Sequence, residues 1–415
     1  IDSLPRVVLG FECNVLCLWQ FLENFRMLET VCVCIPRHLM IGKGSITSVV
    51  EVLGKIGAIK NPLIVTDKVM VEIGVVARLQ KLLAQGGLTS AVYDAVRPDP
   101  TDEMVLMGID ILESGCHDAV IGLGGGSPID AGKAIAVMAR NSRDLQDYRP
   151  PSIFNGLGIP MLAIPTTAGT GTEVTHHTVL IHNATREKIS CRGEGFVPNA
   201  AIIDYELSLS KPRRLIADNA LDTLTHAIEA YVSRKATLYS DRLALDCMRL
   251  VAEHVEAAYQ DPENLVAREA LMLAATFGGM AFTNASIALV HAMSRPLGSL
   301  FHVPHGMSNA MLLPTVTDFS KEAAPERYAD CARVLGLAAD SDSDADACLA
   351  LVAGLNAYNT RLEVPKMSAF GIDAGAYVAA QAAMAADALR SGAPALNPKI
   401  ADQTQITDLY KKAWA

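Results

Sequence analysis

Short β-branched runs alternate with stretches of helical periodicity along the first half of the chain. Leu63-Ile64-Val65-Thr66, Ala91-Val92-Tyr93, Ala119-Val120-Ile121, Met161-Leu162-Ala163-Ile164 and Ala201-Ile202-Ile203 read as strands. Helix-like segments such as Lys68 to Gln85 and Thr101 to Ser114 lie between the earlier runs. Apolar strands alternating with helices predict a mostly parallel sheet covered on both faces. Thr178 to His182 and Lys188 to Arg192 flank Asn183-Ala184-Thr185-Arg186, which predicts a β-hairpin inserted in this α/β part.

After Asp204 the strand signals stop. Leu215 to Arg234, Tyr239 to Tyr259, Pro262 to Thr283, Pro325 to Leu337, Asp344 to Asn356 and Ala374 to Ala388 all carry helical patterns rich in Ala. The change falls near Ser208-Leu209-Ser210-Lys211-Pro212. The expected organisation is an α/β domain over 32–208 and an all-α domain over 209–415, with a cleft between them. Residues 1–31 form an extension of unknown role. Its apolar stretch from Val7 to Trp19 is interrupted by Glu12 and Asn14 and lacks the basic start and small-residue cleavage site of a signal peptide.

Composition narrows the function classes. A chain of 415 residues that is 50% hydrophobic can build a large core, which excludes global disorder. Its net charge is −10 and no dense Lys/Arg cluster occurs, so a nucleic-acid partner is not expected. No apolar run reaches the ~18 uncharged residues of a membrane span. Nine cysteines, an odd number without scaffold spacing, point to reduced and mostly buried thiols in a cytoplasmic protein.

The strongest phosphate signal is Ile121-Gly122-Leu123-Gly124-Gly125-Gly126-Ser127-Pro128, which follows a strand and opens a helix. Consecutive glycines let backbone N–H groups approach an anion, and the helix N-terminus adds partial positive charge. The spacing fits neither a Walker loop nor the standard dinucleotide fingerprint. Asp67, at the end of Leu63-Ile64-Val65-Thr66, is placed to accept from an adenosine ribose and to repel a 2′-phosphate; it is equally suited to cap a helix. Ile164 to Val174 forms a third polar loop with three small residues and four hydroxyls.

The helical part holds the metal candidates. Asp222 and His226 are four apart and share one helix face, while His291 and His305 stand fourteen apart. One carboxylate and three neutral imidazoles around a divalent ion leave a net charge near +1, which suits polarising a substrate oxygen. His302 and the pair His176-His177 are candidates for the cleft wall.

Together these segments resemble the iron-containing (group III) alcohol dehydrogenase family of the dehydroquinate synthase-like superfamily. The carriers are Gly42-Lys43-Gly44, Val65-Thr66-Asp67-Lys68, Pro98-Asp99-Pro100-Thr101, Gly124 to Lys133, Pro165 to Thr170, Asp222 to Ala230, His291 to Gly298 and Pro304-His305-Gly306. The resemblance implies a divalent ion, Fe²⁺ first and Zn²⁺ second, held by Asp222, His226, His291 and His305. It implies NAD rather than NADP, with Gly125, Gly126 and Ser127 at the pyrophosphate and Asp67, Asp130, Thr166, Thr167, Thr170 and Lys188 around the cofactor. The implied reaction is hydride transfer between a small primary alcohol and NAD, in a homodimer, with proton release through water, a ribose hydroxyl or His302.

Two departures stand out. Arg295 occupies the position where the family usually has a second His four residues after the third ligand. Arg295 cannot shuttle a proton near neutral pH; it binds an anionic group on the substrate or makes a structural ion pair. The first alternative opens a second reading, a reductase of an anionic (carboxylate, phosphonate or sulfonate) aldehyde or keto acid. The other departure, Asn219-Ala220 where the family commonly has Gly, is expected to alter only the start of the ligand helix.

Overall fold

The computed structural model describes residues 30–414, so nearly all of the expected 1–31 extension lies outside the described residues. The fold belongs to one compact unit that begins at Cys34. Strands β1 (His38–Ile41), β2 (Pro62–Val65), β3 (Ala91–Tyr93), β4 (Ala119–Gly124) and β5 (Met161–Pro165) precede the hairpin β6 (His177–His182) and β7 (Glu187–Arg192), and β8 (Ala200–Ile203) follows. The six sheet strands are all parallel, in the order β1-β8-β5-β4-β2-β3, and β6 pairs antiparallel with β7.

Every residue of β2, β4, β5 and β8 is buried, as a sheet covered on both faces requires. Alternate side chains serve opposite layers. Leu63, Val65, Val120, Ala163 and Ala201 pack with the helices Asp102–Ser114 and Gly126–Met138, whereas Ile64, Ile121, Leu123, Leu162 and Ile202 pack with Val49–Ile56 and Val75–Gln85. The order reverses between β2 and β4, because β2 is followed outward by β3 and the chain then returns to β4. In open α/β sheets ligands lie beyond the carboxyl ends of strands at such a reversal. Asp67 ends β2 and the Gly124-Gly125-Gly126 turn ends β4, so the fold sets both beside that crevice.

The segment Lys68 to Gln85 is two helices rather than one. Lys68–Glu72 and Val75–Gln85 are separated at Gly74, which is left-handed at φ 81°. From Arg213 onward the chain is helical: Arg213–Val232, Leu238–Gln260, Leu265–Asn284, Leu289–Phe301, His305–Ser320, Pro325–Val334, Asp344–Arg361, Ala374–Arg390 and Gln403–Ala413. Arg213–Val232 already includes Asn219 and Ala220, so that departure falls inside the helix and does not touch its start. Leu265–Asn284 is long and apolar enough to cross a membrane, but it is largely buried within the helical core. Of the thiols, Cys191, Cys247, Cys331 and Cys348 are buried and Cys116 is exposed.

The two parts meet along a tight seam. Thr223 Oγ1 donates to Gly169 O at 3.1 Å, Thr276 Oγ1 donates to Glu173 Oε1 at 3.0 Å, and an added Cβ on Gly171 would lie 2.6 Å from Gly279 Cα. The β6–β7 hairpin is anchored to Gly126–Met138 through Asp130, whose backbone O accepts from Thr178 Oγ1 and whose Oδ2 accepts from Val179 N at 2.9 Å.

Candidate active site

A cleft of about 1010 Å³ opens between the carboxyl ends of the sheet strands and the helical part. Its floor is the β4 turn. Gly124 adopts φ 146°, and a Cβ there would lie 2.7 Å from Pro128 Cγ, so only glycine lets the chain turn directly into Gly126–Met138. The cap of that helix, Gly125, is extended and makes no side-chain cap, which leaves the N–H groups of the first turn open to an anion. Thr167 and Thr170 pack against the glycines; added Cβ atoms on Gly125 and Gly126 would meet them at 3.3 and 3.1 Å.

Asp67, Gly125, Gly126, Ser127, Thr167, Thr170 and Lys188 all line this cleft. Asp67 also caps Lys68–Glu72, accepting from Met70 N at 3.0 Å, so the capping role and the cleft position coexist. Lys188 Nζ is paired with Asp99 Oδ1 at 2.7 Å. Thr166 is buried behind the cleft, with its N–H on Gly124 O. Asp130 lies deeper, on the wall of an adjoining 210 Å³ pocket, with its carboxylate bonded to Thr172 Oγ1 at 2.6 Å and to Val179 N. Beside it Lys133 Nζ donates to Thr172, Thr175 and the His177 carbonyl; burial lowers its pKa to about 8 despite Asp130 and Glu173.

At the small pocket three imidazoles converge on one carboxylate oxygen. His291 Nε2, His305 Nε2 and His226 Nε2 lie 3.5, 3.7 and 3.9 Å from Asp222 Oδ1. Donor atoms of Asp222, His226 and His291 all fall within 4.8 Å of one another. Four ligands held ~2.1 Å from an ion at tetrahedral angles lie about 3.4 Å apart. The spacing and chemistry of Asp222, His226 and His291 therefore fit a divalent ion, and His305 approaches the same carboxylate oxygen from the side. Asp222, His226 and His291 are buried, whereas the His305 side chain is 45% exposed and closes the cluster from the cleft side.

Each donor has a local reason for its place. Asp222 and His226 are one turn apart on Arg213–Val232. His291 lies in the first turn of Leu289–Phe301, and His305 begins His305–Ser320; these helices touch where Ser294 Oγ and Ser308 Oγ are 2.6 Å apart. Gly306 lets the second helix approach closely: a Cβ there would lie 2.2 Å from Asp218 O. His291 Nδ1 faces Glu229 Oε2 at 2.5 Å, and Glu229 Oε1 accepts from Val290 N at 2.6 Å. A carboxylate behind a ligand imidazole fixes its tautomer and raises its basicity. Asn309 Nδ2 donates to Asp222 Oδ1 at 2.7 Å. Glu229 and Asn309 are the supporting residues the sequence reading missed. Their signals were there: Glu229 is two helical turns after Asp222, and Asn309 is one turn after His305.

The electrostatics follow from the clustering. Burial would raise the Asp222 carboxyl, but His226, His305 and His291 together hold it well below the carboxylate range. Burial dominates at His226, lowering it to about 3 against the pull of Asp222. At His291 burial is outweighed by Glu229 and Asp222, which raise it to about 9. His226 stacks between His291 and Phe282, with ring centroids 4.5 and 4.4 Å away.

Arg295 lines both the cleft and the small pocket, and no ion pair holds it among the described residues. The structural ion pair expected as its alternative role is not formed. His302 ends Leu289–Phe301 in a left-handed conformation at φ 56°, exposed on the wall of the wide cleft and outside the small pocket. His177 lines the small pocket, and His176 stacks on it.

The chain is similar to known proteins along most of its length. Residues 36–205 match the model of the iron-containing alcohol dehydrogenase family, and 216–414 match the C-terminal model of the same family. The chain is 34% identical to the NAD-dependent methanol dehydrogenase of Bacillus methanolicus over 379 residues, covering 91% of this chain and 98% of that protein. It is 34% identical to the lactaldehyde reductase of Escherichia coli K12 over 375 residues, 90% of this chain and 97% of that one. The crystal structure of a 1,3-propanediol oxidoreductase superposes with a TM-score of 0.89 at 33% identity, covering 93% of this chain and 100% of its own.

Proposed function

The chain belongs to the iron-containing alcohol dehydrogenase family, and from that premise we propose that it interconverts a small primary alcohol and its aldehyde with NAD. The observation that carries this reading is the convergence of three Nε2 atoms on Asp222 Oδ1 next to an uncapped helix N-terminus. We assign 32–208 as the NAD-binding domain and 209–415 as the metal-binding domain. Asp222, His226, His291 and His305 are the residues that hold the ion, Fe²⁺ by family likeness and Zn²⁺ as the second candidate for such borderline donors.

When bound, a divalent ion supplies Lewis-acid stabilisation of negative charge on the substrate oxygen, and NAD supplies the hydride acceptor. The protein's own groups do the rest. Backbone N–H groups at Gly125, Gly126 and Ser127 hold the pyrophosphate, and Thr167 and Thr170 wall the nicotinamide side. Asp67 accepts from ribose hydroxyls and repels a 2′-phosphate, which favours NAD over NADP. Asp130 and Lys133 hold the hairpin that carries Lys188 against the cleft. Glu229 keeps the His291 Nε2 lone pair facing the cluster. His177 and Phe282 narrow the small pocket and keep water from it. His302, on the open wall, is the group that passes the released proton to solvent.

A cytoplasmic location is supported by the buried thiols and a homodimer by family likeness; light scattering of the purified protein tests the latter. The central test is metal analysis of protein purified without oxygen, followed by NADH oxidation against an aldehyde panel. His226→Ala and His305→Ala should lose the ion and turnover together. Full activity in a metal-free His305→Ala protein would refute the assignment.

A further inference from the structure

We infer that Arg295 selects short aldehydes and alcohols that carry an anionic group, a carboxylate being the simplest, away from the reacting carbon. This inference rests on the dehydrogenase reading above and deepens it by naming the substrate class. Arg295 stands four residues after His291 on Leu289–Phe301, one turn along the same face, so the guanidinium and the imidazole look into one space. It lines the 210 Å³ pocket that Asp222, His226 and His291 also line.

The guanidinium is left without a partner. Among the described residues no hydrogen bond or ion pair engages it, although helix Leu289–Phe301 is packed within the core. The two carboxylates whose field reaches it are committed elsewhere: Glu229 to Val290 N and His291, and Asp387 to Arg390 at 2.7 Å. The other charges on the pocket wall are already balanced. Lys188 is paired with Asp99, Asp130 is bonded to Thr172 and Val179 N, and burial keeps His177 neutral. Among the described side chains lining the small pocket, Arg295 is therefore the cation without a counter-ion.

A partly buried cation without a counter-ion is costly, and a ligand anion removes that cost. The planar fork of a guanidinium matches a carboxylate bidentately. At 210 Å³ the pocket lies below the ~300 Å³ at which pockets for drug-sized ligands begin, so the part of the substrate between the reacting carbon and Arg295 is short. The cofactor pyrophosphate is the other candidate anion, and the open N–H groups of the glycine turn in the wide cleft are suited to it. The reaction leaves the anionic group unchanged: hydride from NADH forms the new C–H bond at the carbonyl carbon, the C=O π pair takes a proton from solvent, and NADH becomes NAD⁺.

The test compares 4-oxobutanoate with butanal, two four-carbon aldehydes that differ in charge, as substrates of the metal-loaded enzyme with NADH. The expected wild-type kcat/KM ratio, anionic over neutral, is at least tenfold. In Arg295→Gln that ratio should fall at least tenfold, chiefly through KM for the anion, and Arg295→Lys should restore part of it. Calorimetric binding of 4-hydroxybutanoate and of 1-butanol to the NAD-bound protein gives a readout independent of turnover. A wild-type ratio at or below one, or a ratio unchanged in Arg295→Gln, overturns the inference. Weaker NADH binding in Arg295→Gln with an unchanged ratio also overturns it, assigning the guanidinium to the cofactor. Arg295-dependent binding of 4-hydroxybutanoate without turnover of any aldehyde would sustain the anion subsite while sinking the dehydrogenase reading. Good turnover of butanal with no preference for the anion would do the reverse.

Discussion

Replacing Glu229 by Gln removes one charge and almost no volume, at a side chain that is 2% exposed. Its carboxylate now receives the Val290 N–H at 2.6 Å and faces His291 Nδ1 at 2.5 Å. An amide offers one acceptor where two donors wait. If its oxygen turns to Val290, its NH₂ meets His291 Nδ1, which must then accept, and the ring proton moves to Nε2. That tautomer cannot bind an ion. If the oxygen turns to His291, the Val290 N–H is left buried without an acceptor, at about 1–3 kcal/mol. Either way, metal binding has to overcome a cost the carboxylate avoids. Substitutions behind ligand imidazoles typically weaken metal affinity 10–100-fold, equivalent to about 1.4–2.7 kcal/mol. Chelator competition on anaerobic protein measures this directly, and urea unfolding of the metal-free form separates affinity from stability. A Glu229→Gln protein whose metal affinity stays within threefold of wild type refutes the reasoning, even if its metal-free form is less stable.

Two further outcomes follow from the same geometry. Gly306→Ala puts a methyl 2.2 Å from the Asp218 carbonyl, so the His305 helix must shift; the cost is about 1–3 kcal/mol of stability, with metal affinity falling alongside, and unaltered affinity would show that this close approach does not position His305. Burial, then the charges of Lys133, Arg192 and Lys235, lowers His176 to about 4 from an ordinary value of 6.5. Its contribution to stability is present above pH 6.5 and lost as pH falls through 4, so between pH 7 and 4.5 the metal-free wild type should lose about 2 kcal/mol more than His176→Gln, allowing for solvent screening. Parallel stability curves for the two proteins would count against this.

How much could be read from the residues alone depended on what each element buries. β2, β4, β5 and β8 lie in the middle of the sheet, so their apolar runs are unbroken and announce themselves. β1, an edge strand of four residues with a half-exposed face, offers no such run and went unrecognised. Leu289–Phe301 and His305–Ser320 were hidden by Pro296 and Pro314 inside them, residues that read as breaks. Of the metal donors, Asp222 and His226 declare themselves by helical spacing. His291 and His305 do not, because what joins them is a contact between two helices at Ser294 and Ser308. The isolation of Arg295 is a property of three-dimensional neighbours, and spacing carries no trace of it.

The seam at Thr223–Gly169 and Gly171–Gly279 has a kinetic consequence. All four side chains proposed to hold the ion belong to one half of the molecule, and the glycine turn belongs to the other. The gap between donor and acceptor carbons thus depends on how firmly the halves are clamped. Hydride transfer is steep in that gap, and a misplacement of about 1 Å can slow a reaction by 10²-fold. Loosening the clamp would widen that gap and slow the enzyme.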